Sequence, residues 1–429
     1  MSKRVAIIGG GMAGICSALL LAASCEVCII ERQDRIGKKL LLTGNGRCNI
    51  SNTEVSPEDY VCGDKERLGC ILAAFGPQER DGFFEELGLY TQTVKGGIYP
   101  LSNQASSVLD ALRFALTERG VQVKCGLTVT DINKEDLPDG KSLKRLKAGA
   151  GSPGLSPGAE NEGGRYCLVT GGGVKSRLFD AVIIAGGGRA GVYGEEKQNA
   201  FSLAARLGHS VTASHPALCA LRCGNDMAVT AGVRANARVS AGGYSEEGEL
   251  QFTKEGLSGI PVFQLSLYLN GNEREAMVDL LPGFDSDVSY GDMMDRRLEC
   301  FGDRNAEDFF AGLLNKKLAQ ELRRRIGMSA TDSMSSLTPE KYERLKKLIR
   351  ALPYDIKGTA GYKNAQVSAG GVPLAELTEG LGSRFAKGVW FAGEMLDVTG
   401  RCGGYNLHFA MASAFTCAAD IKRSLDVQA

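Results

Sequence analysis

The sequence predicts an α/β protein in which a doubly wound, mostly parallel domain is built from both ends of the chain and interrupted by a β-rich stretch and then a helical one. Three observations carry this. Near the start, Val5-Ala6-Ile7-Ile8, a glycine-rich turn, a helical pattern and Val27-Cys28-Ile29-Ile30 make a strand, helix and strand in nearly the minimum length. Near the end, Gly388 to Glu394 again reads as strand then turn, followed by a helical pattern from Leu407 to Ile421. Between them, Ser210 to Pro282 alternates in short segments separated by turn residues, as in an antiparallel sheet or barrel, and Tyr290 to Leu352 is charged, helix-forming sequence.

Taken in order, Val5 to Ile8 is apolar throughout, the form of a strand buried on both faces. A helix is expected from about Ala13 to Ala23, and the second strand closes on Glu31. Helical patterning returns at Glu79 to Glu86 and Ser106 to Arg119, leading into Val121-Gln122-Val123 and a strand pair near Leu127 to Ile132. Ala148 to Gly164 is almost entirely Gly, Ser, Pro, Ala, Glu and Asn, which bury too little apolar surface to offset ordering. With strand patterns at Leu143 to Lys147 and Tyr166 to Thr170 on either side, it reads as a hairpin tip. Ala181 to Ala185 is another buried strand, ending in Gly186-Gly187-Gly188. A loop at Val192 to Gln198, a helix at Asn199 to Leu207 and a strand at Ser210 to Ala213 are expected after it. Leu318 to Ile326 and Pro339 to Ala351 read as helices, the second started by Thr338-Pro339-Glu340, and strand-like sequence resumes at Ala365 to Leu374. The expected domains are 1–205 with 376–429, a β-rich insertion at 206–284 with 353–375, and a helical domain at 285–352.

Composition bounds the partners. At roughly 150 residues per domain the chain holds two to three domains. Its 56 glycines are about twice the usual share, and they show no three-residue period. Lys plus Arg and Asp plus Glu both number 50, so no global field draws the protein to nucleic acid or an anionic membrane. The 13 cysteines, an odd and scattered set, favour a reducing cytoplasm over a disulfide framework. Cys25 and Cys28 form C-x-x-C inside a strand, away from the helix N-terminus that activates a redox dithiol. Lys3-Arg4 and the apolar stretch to Leu21, with Ala22-Ala23-Ser24-Cys25, imitate a secretory signal, but Gly9, Gly10, Gly11 and Gly14 interrupt it. No apolar run reaches the eighteen or so residues of a membrane span.

Gly9, Gly11 and Gly14 make G-x-G-x-x-G, with Ala18 on the same helix. The first glycine makes the turn, the second admits a pyrophosphate, and the third lets the helix sit close on the sheet. The motif follows a buried strand and opens a helix. Glu31 ends the next strand, where a carboxylate accepts from both ribose hydroxyls, and Arg32 beside it is counted with this dinucleotide site. Gly186, Gly188 and Gly191 repeat the spacing, but the helix is delayed and the following strand has no acidic end, so no second nucleotide domain is expected. Gly186 and Gly187 are instead placed beside the first site.

Gly37 to Asn49, Gly97-Ile98-Tyr99-Pro100-Leu101-Ser102, Leu257-Ser258-Gly259, Phe391 to Glu394 with Leu396-Asp397, and Gly403-Gly404-Tyr405-Asn406-Leu407 resemble the bacterial flavoprotein family that includes a bile-acid 3-oxo-Δ4 reductase and aminoacetone oxidase. The resemblance spans nearly the whole chain. It implies a Rossmann-type FAD domain of the glutathione-reductase kind, a barrel-like insertion and a small helical domain. It also implies that Met12 and Ala13 amides bind the pyrophosphate, Glu31 the ribose and Val129 the adenine through its backbone. Lys39, Asn45, Gly46, Arg47, Cys48 and Asn49 would line the flavin side, Gly393 and Glu394 the ribityl chain, and Gly404, Tyr405 and Asn406 would open a helix aimed at the pyrimidine end of the ring. A helix N-terminus there stabilises the negative charge of reduced flavin.

The expected activity is NAD(P)H-linked reduction of a carbon–carbon double bond conjugated to a ketone, with substrate between the FAD domain and the insertion. NAD(P)H would bind transiently, since it has no fingerprint of its own. The alternatives are an oxidase of a small amine such as aminoacetone, and a flavoprotein acting on RNA or sensing redox state. His408 and Tyr405 are weighed for catalysis but expected to pack; Cys48 and Cys402 read as apolar fillers. His209 and His215 are not at metal spacing with any cysteine and are expected to be structural. The basic run Lys316-Lys317 to Arg323-Arg324-Arg325 is expected to be a solvated face.

Overall fold

A computed structural model describes residues 2–135, 165–191, 200–269, 271–284 and 286–427. The tip at 148–164, the strand expected at 143–147 and the loop at 192–198 lie outside the described residues. The chain divides into two compact units, Met1–His215 with Val367–Ala429, and Pro216–Gln366.

The first unit is organised on a five-stranded parallel sheet in the order Val389–Phe391, Ala181–Ile184, Lys3–Ile8, Cys25–Ile30, Gln122–Lys124. Its central strands are apolar on both faces because both are covered, helix Met12–Leu21 and the antiparallel strands Arg165–Thr170 and Lys175–Phe179 being among the elements in contact with them, and Val5, Ala6 and Ile7 are fully buried. Helix Met12–Leu21 is buried along nearly its whole circumference, beside the closing helix Tyr405–Ser424. Cys25 and Cys28 are buried in their strand, and burial pushes both thiols up, which suits filler rather than redox use.

Three expectations change here. In place of a strand pair near Leu127 to Ile132 there is one strand, Val129–Glu135, paired antiparallel with Arg165–Thr170. It starts late because the Gly126 and Leu127 amides donate to the Gln33 and Glu31 carbonyls. Ser210 to Ala213 is irregular, since the Ser210 amide and hydroxyl donate to Glu376 and the Thr212 amide to the Gly371 carbonyl. The strand-like Ala365 to Leu374 shrinks to Val367–Ala369, because Gly370 and Gly371 turn the chain. Helix Lys65–Ala73 was not anticipated; it contains Gly69, buries only Leu68, Ile71 and Leu72, and depends on the Asp64 carboxylate accepting from the Arg67 amide.

After Gly186 to Gly188 the next described helix is Ala200–Arg206, and the neighbouring strand in the sheet is Val389–Phe391.

The second unit contains a closed six-stranded barrel, ordered Leu221–Cys223, Gly256–Ser258, Tyr244–Phe252, Arg234–Ala241, Glu275–Asp279, Leu352–Thr359. Helices Asp287–Phe301, Lys316–Ile326 and Pro339–Arg350 share its core, through Leu318, Leu322, Leu345 and Ile349. Thr338 starts the last helix by accepting from the Lys341 amide. The basic run is a solvated face only in part: Arg323 is buried, and buried Glu321 is bridged by Arg324 and Arg325, which lowers the Glu321 pKa against the opposing effect of burial. Among the described residues no helix is long and apolar enough to cross a membrane.

Candidate functional site

The strand Lys3–Ile8 delivers the chain to Gly9, whose φ of +108° and approach to the Ala185 carbonyl exclude a side chain. A Cβ on Gly14 would run into the Gly9 carbonyl oxygen, so this glycine sets the helix down on the turn. Gly11 is different. No described residue lies where its Cβ would be, and it opens helix Met12–Leu21 with no side-chain cap and no acid in the first turn. Those first-turn amides are the free donors of a helix N-terminus, a place suited to an anion. Glu31 is buried beside them, taking the Gly10 amide on Oε2 at 2.6 Å and the Gln33 amide on Oε1 at 2.8 Å. Each oxygen keeps a further lone pair for a ligand hydroxyl. Val129 begins the strand beside the Gly126 and Leu127 contacts to this segment, and Arg32 is half-buried next to Glu31.

A second cluster joins distant parts of the same unit. Lys39 Nζ lies 2.6 Å from Glu394 Oε2, while Glu394 Oε1 accepts from the Ser368 amide at 3.0 Å and hydroxyl at 3.3 Å. Ser368 Oγ accepts in turn from the Arg189 amide at 2.8 Å. Lys39 is therefore committed to Glu394. Sequence reasoning missed Ser368, whose surroundings carry no motif. Gly186 packs against Ala200, Gly187 faces open space, and the Gly393 amide donates to Ser413 Oγ.

The third cluster is a cradle around Asn49. Gly44, Asn45, Gly46 and Cys48 all have positive φ, so the Thr43 to Asn49 segment folds tightly back, with Asn45, Gly46 and Arg47 exposed. Asn49 Oδ1 is buried and has no hydrogen-bond partner among the described residues. A Cβ on Gly404 would sit 2.9 Å from that oxygen, and one on Gly97 would lie 2.8 Å from the Asn49 amide nitrogen and 2.9 Å from the Tyr99 ring. Gly404 opens helix Tyr405–Ser424 with no side-chain cap. Asn406 is spent locally: its side chain exchanges hydrogen bonds with the Gly400 amide and carbonyl. Tyr405 packs edge-on to Tyr60, whose hydroxyl donates to the Tyr405 carbonyl.

His408 is packed as expected. It is buried, bonds Ser51 Oγ through Nδ1 at 2.9 Å, and is held down to about 4 by burial, with Arg80 adding repulsion. Cys48 is buried with its thiol pushed up to about 11 by burial, which suits a filler. His209 bridges Glu376 and Ser383, a structural bracket.

These residues fit a bound dinucleotide: two uncapped helix N-termini, open space at Gly11, spare acceptor capacity on Glu31 and an orphaned acceptor at Asn49. Residues 3–148 match the model of the HI0933-like protein Rossmann domain, and residues 215–367 match the HI0933-like protein barrel and H2TH domain. The chain belongs to the HI0933-like family. Among its relatives, a 3-dehydro-bile acid delta(4,6)-reductase of Clostridium scindens is 35% identical over 96% of this chain and 97% of that protein. A ribosomal RNA dihydrouridine synthase of Escherichia coli is 27% identical over 97% of each. The 3-ketosteroid delta1-dehydrogenase of Sterolibacterium denitrificans, solved in complex with 1,4-androstadiene-3,17-dione, shares the fold at a TM-score of 0.51 with 14% identity, covering 99% of this chain and 100% of that one. This HI0933-like protein is an FAD-dependent oxidoreductase, as the sequence led one to expect.

Proposed function

We propose that the protein reduces a carbon–carbon double bond conjugated to a carbonyl, on a small hydrophobic substrate of the 3-oxo-Δ4 steroid or bile-acid type, with NAD(P)H as transient donor. The observation that carries this reading is the 35% identity, over nearly all of both chains, to a relative named for reducing a bile acid. The relative named for dihydrouridine supports the bond type independently, because dihydrouridine is a uracil ring saturated at a double bond conjugated to its carbonyl. It also keeps RNA as a second reading. The lower identity of 27% and the balance of 50 basic and 50 acidic residues place that reading second. The amine oxidase alternative is not favoured.

Bound FAD would supply the hydride. In this reading the Met12 and Ala13 amides hold the pyrophosphate, Glu31 the adenosine ribose and the Val129 backbone the adenine. Ser368 and Lys39 orient Glu394 toward the ribityl chain, and the Asn49 cradle with the Gly404 helix terminus orients the ring and excludes water from it.

The test is anaerobic. The yellow protein should bleach with NADH or NADPH and recolour on addition of a 3-oxo-Δ4 steroid. Recolouring by an rRNA fragment and not by the steroid selects the second reading. Bleaching by aminoacetone with no response to either nicotinamide refutes the proposal.

A further inference from the structure

We propose that Tyr99 is the proton donor of this reaction, a role that rests on the reductase reading above. Saturating such a bond takes a hydride at the β-carbon, the π pair moving onto the carbonyl to leave an enolate. The α-carbon must then take a proton, and the donor, left as its conjugate base, recovers one from water. The two electrons come from the flavin reduced by its donor. The protein therefore needs an acid beside the cradle, with a free proton and an open way to solvent.

The side chains around the cradle can be sorted on geometry. Cys48 is buried behind the loop, and His408 is buried and engaged by Ser51. The Tyr60 hydroxyl donates to the Tyr405 carbonyl, and burial raises its pKa well above the ordinary value. Tyr405 packs edge-on to Tyr60, and burial, then Asp59, pushes its phenol up. Lys39 is held by Glu394.

Tyr99 differs in exposure and in hydrogen bonding. It lies in the strand Gly97–Pro100, opposite Gln92, and is half-buried. Gly97 makes room for its ring, since a Cβ there would be 2.9 Å away, and a Cβ on Gly44 would touch its other edge at 3.8 Å. Among the described residues its hydroxyl makes no hydrogen bond, so its proton is uncommitted. The Arg47 guanidinium lies 5.2 Å from the ring centroid, a counter-charge for the phenolate that proton transfer leaves behind. The same glycines that open the cradle at Asn49 thus seat an available phenol at its edge.

The test uses Tyr99→Phe and Arg47→Met holoenzymes reduced with dithionite, so that the natural donor does not enter. Mixed anaerobically with a 3-oxo-Δ4 steroid, Tyr99→Phe should recolour about 10²- to 10³-fold more slowly than wild type. FAD retention, the oxidised flavin spectrum and the dithionite reduction rate should be unchanged. Wild type should show a solvent isotope effect on the recolouring rate, and Tyr99→Phe should change its size. Arg47→Met should slow the same step by about tenfold. A Tyr99→Phe enzyme that recolours at the wild-type rate with an unchanged isotope effect overturns the assignment and leaves the reductase reading standing. A wild-type enzyme that no enone recolours overturns both.

Discussion

At the Gly9 to Gly14 turn the protein's polar groups hold one another: Glu31 takes the Gly10 and Gln33 amides, and the Gly9 amide is bonded to the Ile30 carbonyl. Around Asn49 the situation is reversed. Segments near residues 49, 97 and 404 converge, and the arrangement leaves a buried oxygen without a partner. The first region is a local strand, turn and helix that pairs its own carboxylate and leaves only its first-turn helix amides free. The second is assembled by the tertiary fold. A buried orphan acceptor costs stability, so in the proposed reading Asn49 is where bound cofactor would relieve the largest cost.

The largest effect should come from breaking the self-sufficient region. Gly14→Val places branched carbons against the Gly9 carbonyl. We expect a loss of more than about 4 kcal/mol, seen as insoluble or colourless protein. A yellow Gly14→Val protein of normal thermal stability would show that the turn is not the rigid element described. Next comes His408, behind the cradle. Its pKa falls from about 6.5 unfolded to about 4 folded, so the unfolded chain binds its proton first as pH drops. The histidine's contribution is therefore full above about pH 6.5 and is lost as pH falls toward 4, about 3 kcal/mol over that window. His408→Gln should flatten the fall in Tm between pH 7 and 4.5. An unchanged pH profile would remove His408 as the cause.

What was legible in the sequence follows the same division. Gly9, Gly11, Gly14 and Glu31 lie within one strand, helix and strand, where spacing alone conveys geometry. The barrel and the helical segment were legible as changes of period, and Thr338-Pro339-Glu340 as a helix start, because each is a local signal. Ser368, Ser413 and the uncommitted Tyr99 hydroxyl were not legible. Ser368 matters because a chain turn at Gly370 and Gly371 brings it to Glu394, and no local pattern around residue 368 encodes that meeting. Asn406 was placed by its position at the opening of a helix, and its side chain closes its own loop on Gly400, a hydrogen bond that residue type does not announce. Ser210 to Ala213 failed for a related reason: its alternation suits a strand, but Glu376 and Gly371 take its hydrogen bonds first.

Asn49→Leu sharpens the comparison. Leucine keeps the volume and removes the orphaned oxygen, so the FAD-free protein should gain about 1 to 2 kcal/mol and melt a few degrees higher. FAD affinity should fall by about tenfold or more, because the partner that the cofactor would satisfy is gone. Thermal melts of the stripped protein and fluorescence titration with FAD give the two numbers. A variant that loses stability without FAD would mean that Asn49 has a structural partner already.

Glu31→Gln should behave in the opposite sense, with a smaller effect. The amide keeps one acceptor but turns an NH2 group toward either the Gly10 or the Gln33 amide, so one charge-assisted bond becomes a donor facing a donor. The FAD-free protein should lose about 1 kcal/mol, and FAD affinity should fall by a few-fold to about tenfold as the ribose loses a charged acceptor. Stability and affinity thus decline together at Glu31 and diverge at Asn49. If both variants moved the two quantities in the same direction, the distinction between a self-supporting turn and a ligand-completed cradle would fail, and Asn49 would have to be treated as part of the scaffold.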